Sequence, residues 1–258
     1  MTSSADLRLR APSTSSIACK ICGQPSALFG VVDLSKSCEQ QLNNPLLGVP
    51  IYYRRCAACG FLFTDAFDDW GIGEFKTHIY NDEYIVYDPD YRHKRPSLNA
   101  REVSRLWSEH KASMRILDYG GGNDVLCAAL RANGFKEAVT YDPMVPEHAH
   151  PPAGKFDLVT CFETLEHLPD PIAGIGKIAE FVADPGAVFY TTLTQSGDFP
   201  QKGVAWWYVG PRNGHVSIFT RQALAAAWGK FGFKTASLSD VLHLAFRTLP
   251  DAWRATIR

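Results

Sequence analysis

Arg115-Ile-Leu-Asp-Tyr-Gly-Gly-Gly-Asn-Asp124 is an apolar run closed by a carboxylate, followed by three glycines and then by sequence of helical character. It reads as a strand, a sharp turn and the first turn of a helix. Gly120, Gly121 and Gly122 let the backbone turn tightly and come close to a ligand, and a helix starting near Asp124 aims its unpaired N–H groups at the same place. That is a cradle for a nucleotide-type cofactor. A dinucleotide would set its pyrophosphate there, but Asp118 closes the strand and Asp124 stands near the third glycine position of G-x-G-x-x-G. Two carboxylates repel a phosphate, so the cradle suits a cationic ligand better.

A second short β-type run, Ala138-Val-Thr-Tyr-Asp142, ends in another acid about 20 residues after the glycines, where ribose hydroxyls are usually held. Alternating strand and helix patterns from here onward predict an α/β fold. On these residues the sequence resembles the class I S-adenosylmethionine-dependent methyltransferases, over roughly residues 97–240. The resemblance implies a Rossmann-like, mostly parallel seven-stranded sheet flanked by helices. It implies S-adenosylmethionine as cofactor, with Asp118 near its amino-acid part, Gly120, Gly121 and Gly122 around it, and Asp142 with Pro143 at the ribose. Asp124 departs from the family's usual third glycine.

Lys155-Phe-Asp-Leu-Val-Thr-Cys-Phe-Glu-Thr-Leu-Glu-His-Leu-Pro-Asp-Pro171 reads as a buried strand leaving a polar cluster at its carboxyl end, the end where ligands bind in open α/β sheets. The Glu-His pair before a proline-bearing turn is similar to a motif of methyltransferases acting on small molecules. Glu163 and Glu166 stand about one helical turn apart and His167 follows directly, so a short helix would place at least part of this cluster over the pocket, with Glu163 assigned to the cofactor and Glu166 to orienting or tuning the imidazole. Histidine is the natural proton acceptor near neutral pH, which makes His167 a candidate base. His215, in Pro211-Arg-Asn-Gly-His215 ahead of a helix pattern starting at Thr220, is the second candidate, in a loop that reads as a substrate wall. The indole-rich run Phe199-Pro-Gln-Lys-Gly-Val-Ala-Trp-Trp-Tyr208 either fills a core or forms the apolar side of a substrate pocket.

Cys19-Lys-Ile-Cys22-Gly23 and Cys56-Ala-Ala-Cys59-Gly60 are matched knuckles, and four thiolates at such spacing suit a structural, tetrahedral zinc ion. The glycine after each pair allows the chain to turn back and offer N–H groups to the sulfurs. Cys127 and Cys161 read as core residues and Cys38 as an unpaired thiol in the loop between the knuckles. An N-terminal cysteine–zinc module ahead of this domain is similar to that of sugar C-methyltransferases, which carry a third, C-terminal domain beyond the length of this sequence.

Of the 258 residues 46% are hydrophobic, enough for one full core and a small appendage. No apolar run reaches the length of a membrane span and the first ten residues lack the apolar centre of a secretory signal, so the expected compartment is the cytoplasm and no membrane partner is expected. Net charge is −1, and residues 1–100 hold ten Lys and Arg against eleven Asp and Glu, so nucleic acid is not expected as a partner either. The expected organisation is a disordered lead-in over 1–16, a zinc-binding module over 17–70, an aromatic linker over 71–96 whose Tyr80 or Tyr84 folds over the cofactor as a lid, and a methyltransferase domain over 97–258. Within the last domain a helix over 170–183 is expected, and the resemblance implies two antiparallel strands within 233–247 at one sheet edge. The function expected is methyl transfer to a carbon or oxygen of a small-molecule acceptor, a carbohydrate or another secondary metabolite, with a histidine base. Two alternatives stay open: a zinc-ribbon RNA methyltransferase and a non-catalytic module that binds cofactor or zinc and a protein partner. Oligomeric state is not readable from the sequence.

Overall fold

The cysteine-bearing segment alternates β-branched and aromatic residues with polar ones, and it folds as antiparallel strands. In the computed structural model, which describes residues 7–10, 15–39 and 44–253, β1 (Ile17–Ala18), β2 (Pro25–Asp33), β3 (Pro50–Cys56) and β4 (Leu62–Thr64) pair in chain order. Helices α1 (Ile72–His78) and α2 (Tyr84–Tyr87) follow. The expected lead-in, residues 1–16, lies largely outside the described residues.

The chain then enters a second sheet. After α3 (Lys94–Leu106) come β5 (Arg115–Tyr119), α4 (Val125–Ala132), β6 (Glu137–Tyr141), β7 (Phe156–Cys161), α5 (Pro171–Glu180) and β8 (Val182–Thr191). Beyond α6 (Phe199–Lys202), β9 (Ser217–Ile218) and α7 (Arg221–Gly229), the strands β10 (Lys234–Ser237) and β11 (Leu242–Phe246) complete it in the order β10-β11-β8-β7-β5-β6. Strands β5 to β8 pair in parallel, while β11 and β10 run antiparallel at one edge as the sequence predicts. This is the expected α/β architecture, with one correction: among the described residues the sheet has six strands, not seven. Only residues 142–155 separate β6 from β7, and they form one short 3-10 turn at Pro146–His148, too little chain for a further strand and its crossover helix. A second correction concerns α5, which stops at Glu180 rather than near Ala183, and β8 begins two residues later.

Contacts divide the chain into two compact units, and the division is not a single cut near residue 96. One unit takes the described residues of Met1–Pro89 together with Glu166–Ile172 and Leu193–Ala227; the other takes Asp90–Leu165, Ala173–Thr192 and Trp228 onward. Backbone pairing explains the return: β9 adds to the N-terminal sheet at β4, with Leu62 opposite Ile218 and Phe63 opposite Ser217.

The core of the second unit forms where the apolar stripes of α3 and α4 meet one face of the sheet, with Val103, Leu106, Leu126 and Leu130 against Ile116, Leu158 and Phe189. Trp107 is fully buried there, edge-on to Phe189 (centroids 5.1 Å) and Trp253 (5.4 Å). Replacing it with alanine removes the more deeply buried of the cluster's two indoles, so Trp107→Ala should cost about 3–5 kcal/mol of stability, measured by urea unfolding. A loss below about 1 kcal/mol would show that the cluster does not hold the unit together.

Candidate functional site

Strand β5 ends in Asp118, and the three glycines fold back over it. The carboxylate is 3% exposed and accepts a 2.7 Å hydrogen bond from Thr160 Oγ1 on β7. Burial drives its pKa upward; the Thr160 bond opposes this, and the charges of Asp142 and Asp124 add to it, leaving Asp118 at about 7. A Cβ on Gly121 would overlap Asp118 Oδ2, and one on Gly120 would come within 2.6 Å of Thr164 Oγ1, so only glycine lets the loop lie this close. A Cβ at Gly122 meets nothing within 4 Å, so the far side of the loop has room.

The end of β6 holds the loop in place. Tyr141 O accepts from Gly120 N–H (2.8 Å), and Asp142 Oδ2 accepts from Gly122 N–H (2.9 Å) while its Oδ1 accepts from Met144 N–H. Asp124 precedes α4 at φ 63°, in the left-handed region where glycine is at ease, which accounts for the position of the motif's missing glycine. Its charge differs from the expectation. Asp124 forms an ion pair with Arg131 and accepts 2.7 Å from Thr140 Oγ1; burial raises its pKa, but these partners outweigh burial and hold it below the usual range. Asp124 is thus offset by Arg131, and the charge that the cradle turns toward a ligand falls to Asp142 and, once it gives up its proton, to Asp118. Arg131 lies two helical turns after Asp124, a spacing that was readable.

Glu163, Glu166 and His167 do not form one helix-borne cluster. Glu163 sits at φ 49°, ion-paired to Arg95 (3.2 Å) and accepting 2.8 Å from Thr191 Oγ1, all in the second unit. Residues Leu165–His167 make a 3-10 turn, and Glu166 and His167 belong to the first unit. There the turn is laced to β9: Glu166 O accepts from Val216 N–H (2.9 Å) and Leu168 O from Ser217 Oγ (2.7 Å). Glu166, fully buried, accepts 2.8 Å from the Tyr208 hydroxyl, which in turn accepts from Leu193 N–H at 3.2 Å.

The lacing brings His167 beside His215, ring centroids 4.9 Å apart. His167 Nδ1 lies 3.1 Å from Gly214 O, and His215 Nδ1 lies 2.8 Å from Tyr208 O. A carbonyl only accepts, so both rings carry their proton on Nδ1 and, when neutral, present the lone pair at Nε2. His215 is 7% exposed and the His167 ring is the more open of the two. Cys38, read as an unpaired thiol, has its sulfur 3.4 Å from His215 Nδ1 and its N–H on Asn213 Oδ1. No local pattern links residue 38 to 215, or 208 to 166.

The remaining candidates take other places. Tyr80 stands edge-on to His167 (5.8 Å) and to Tyr84 (5.1 Å), and the Tyr84 hydroxyl donates to Asn213 O. Arg212 and Asn213, expected in a substrate wall, instead anchor residues 79–87: Arg212 donates to Ile79 O and lies 3.8 Å over the Tyr87 ring, and Asn213 donates to Tyr87 O. Of the indole run, Trp206 is buried against Phe199, Tyr208 reaches Glu166, and Trp207 is exposed.

The four knuckle sulfurs converge, with Sγ–Sγ distances of 3.7 Å for Cys19–Cys59, 3.5 Å for Cys22–Cys56 and 3.6 Å for Cys22–Cys59. A tetrahedron of sulfurs about 2.3 Å from a central zinc has edges of about 3.8 Å, so the cluster has the size such an ion requires. The hydrogen bond from Cys59 pulls the Cys19 thiol down, while the same bond pushes Cys59 up and burial raises Cys22. One sulfur thus ionises at the expense of others, and a dication would let all four ionise. The knuckle glycines, at φ 75° and 73°, give their N–H groups to Cys19 O and Cys56 O rather than to sulfur; Ile21 N–H faces Cys19 Sγ at 3.4 Å.

A family described as "Methyltransferase domain" matches residues 91–238. The ubiquinone biosynthesis O-methyltransferase of Escherichia coli O139:H28 is 47% identical over 53 residues, which is 20% of this chain and 22% of that protein. The chain therefore matches about a fifth of the length of such curated relatives. Among solved structures, an O-methyltransferase family protein from Burkholderia thailandensis aligns at 14% identity and TM-score 0.47, covering 64% of this chain and 58% of that one. CalS10, an amino pentose methyltransferase from Micromonospora echinaspora, aligns at 17% identity and TM-score 0.44, covering 63% and 97%.

Because Asp118 at about 7 lies above the value of an unfolded carboxyl, the folded state holds its proton more tightly. The contribution to stability is fully present below about pH 4 and is lost as pH rises through 7. Urea midpoints of parent and Asp118→Asn should therefore diverge with pH, the parent losing more between pH 5 and pH 8; parallel slopes would contradict the buried-carboxylate assignment.

Proposed function

We propose that this chain, which belongs to the methyltransferase-domain family, transfers a methyl group from S-adenosylmethionine to an oxygen or acidic carbon of a small-molecule acceptor. The observation that carries this reading is the glycine loop closed over Asp118 and tied to Asp142, within the stretch that matches the family. Gly120, Gly121 and Gly122 admit the cofactor's approach, Asp118 faces its positively charged part, and Asp142 with Pro143 receives the ribose. Glu163, held by Arg95 and Thr191, precedes Thr164, whose side chain faces Gly120, and is the cofactor contact on that side. When bound, S-adenosylmethionine supplies an electrophilic methyl on a sulfonium, and methyl transfer leaves a neutral thioether.

His167, the more open imidazole, takes the acceptor's proton at Nε2. His215 and Glu166 stand behind it, and Tyr208 orients the Glu166 carboxylate. Tyr80 borders His167, Tyr84 packs against Tyr80, and the two shape the acceptor side. A structural zinc ion on Cys19, Cys22, Cys56 and Cys59 holds the knuckles together, with no part in the chemistry. Among the described residues no helix is long and apolar enough to cross a membrane, and the acidic-to-neutral charge balance supports a small acceptor in the cytoplasm over a polyanion.

Calorimetry tests the cofactor: the protein should bind S-adenosylmethionine and not NADH, with Asp142→Asn weakening binding about tenfold to a hundredfold. NADH binding in competition would overturn the assignment. Transfer of labelled methyl to a panel of hydroxylated small molecules tests the base. His167→Ala should lower turnover about 10²- to 10⁴-fold while leaving cofactor affinity unchanged. Parent-like turnover in both His167→Ala and His215→Ala would show that neither ring moves the proton.

A further inference from the structure

The two imidazoles and Glu166 share a feature that proton transfer alone does not require: each has one polar atom held by a backbone or hydroxyl partner. Gly214 O holds His167 Nδ1, Tyr208 O holds His215 Nδ1, and the Tyr208 hydroxyl holds Glu166 Oε1. One donor atom from each of the three lies within 4.8 Å of the others. Glu166 is fully buried and its Oε2 is shielded from solvent, so a cation bound beside it would meet the carboxylate in a low-dielectric setting. Backbone and hydroxyl partners that fix ring tautomer and carboxylate orientation are what metal ligands typically have around them. A set of two imidazoles and one carboxylate suits a divalent transition ion and leaves a further position open.

We propose that Glu166, His167 and His215 form a second, exchangeable site for a divalent transition cation such as zinc, distinct from the four cysteines. The site stands on this geometry alone. Its consequence for turnover rests on the preceding reading: an ion on the imidazole lone pairs occupies the base, so the cation inhibits methyl transfer. A hard ion such as magnesium, which prefers oxygen ligands, is a poor match. Cys38 lies on the Nδ1 side of His215 and is not among the ligands.

The experiment uses the untagged full chain, first stripped and then titrated with Co²⁺ as the sole probe, followed by Zn²⁺. Two equivalents should bind. The tighter one should give the intense sulfur-to-cobalt charge-transfer absorption of the cysteines, and the second weaker d–d bands without charge transfer. Glu166→Gln and His167→Ala, checked for native circular dichroism, should each lose the second equivalent and keep the first. Tyr208→Phe should retain it with affinity weakened roughly 10- to 100-fold. Binding of a single equivalent to the native protein, or a second equivalent that survives in both Glu166→Gln and His167→Ala, overturns the site. If the second ion binds as described and methyl transfer falls and recovers with a chelator dose that leaves the cysteine site loaded, site and base both stand. If it binds and transfer is unchanged or faster, the site stands and the base reading fails.

Discussion

The constraint on which the second unit turns is the burial of one carboxylate. Taking an ionised carboxyl out of water costs several kcal/mol unless its surroundings restore the lost hydration. Asp118 receives one hydroxyl, from Thr160, and otherwise carries its strain as an upward pKa shift. The glycine loop can close over it only because residue 121 has no side chain. The next acid, Asp142, is used to hold the loop through Gly122 N–H, and the third, Asp124, is offset by Arg131. A negative charge kept half-protonated near neutrality, beside a loop with space on its far side, is a place where a cation gains more than it would in water.

Much of this was legible in the sequence because it is local. A strand closed by an acid, three glycines and a helix signal lie within ten residues, and each element forms through near-neighbour sterics and hydrogen bonds. The cysteine knuckles are legible for the same reason, while the antiparallel strands after residue 233 follow from the resemblance to the family. What escaped reading depends on chain that returns from far away. Residues 166–172 and 193–227 fold with the N-terminal unit because β9 pairs with β4, a contact of more than 150 positions that no periodicity announces. The Glu163–Glu166 spacing suggests one helical turn, but the positive φ at Glu163 breaks the helix and sends the two acids to different partners. The seventh strand failed on length, since 142–155 has no room for it.

The same return builds the histidine pair. Val216 N–H on Glu166 O and Ser217 Oγ on Leu168 O fix the turn that carries His167, and the loop before β9 carries His215. Main-chain carbonyls then set both tautomers, so backbone geometry decides which ring nitrogen carries the proton. Residues read as a substrate wall, Arg212 and Asn213, instead brace the tyrosine segment that borders His167.

The central claim is that Asp118 holds a proton in the free protein and gives it up to accommodate a cationic cofactor. The direct measurement is proton release on binding S-adenosylmethionine, taken by calorimetry at pH 6.5 in buffers of different ionisation enthalpy. The account predicts release of a substantial fraction of one proton per chain, absent in Asp118→Asn. Binding with no proton release, or with the same release in the variant, would contradict it.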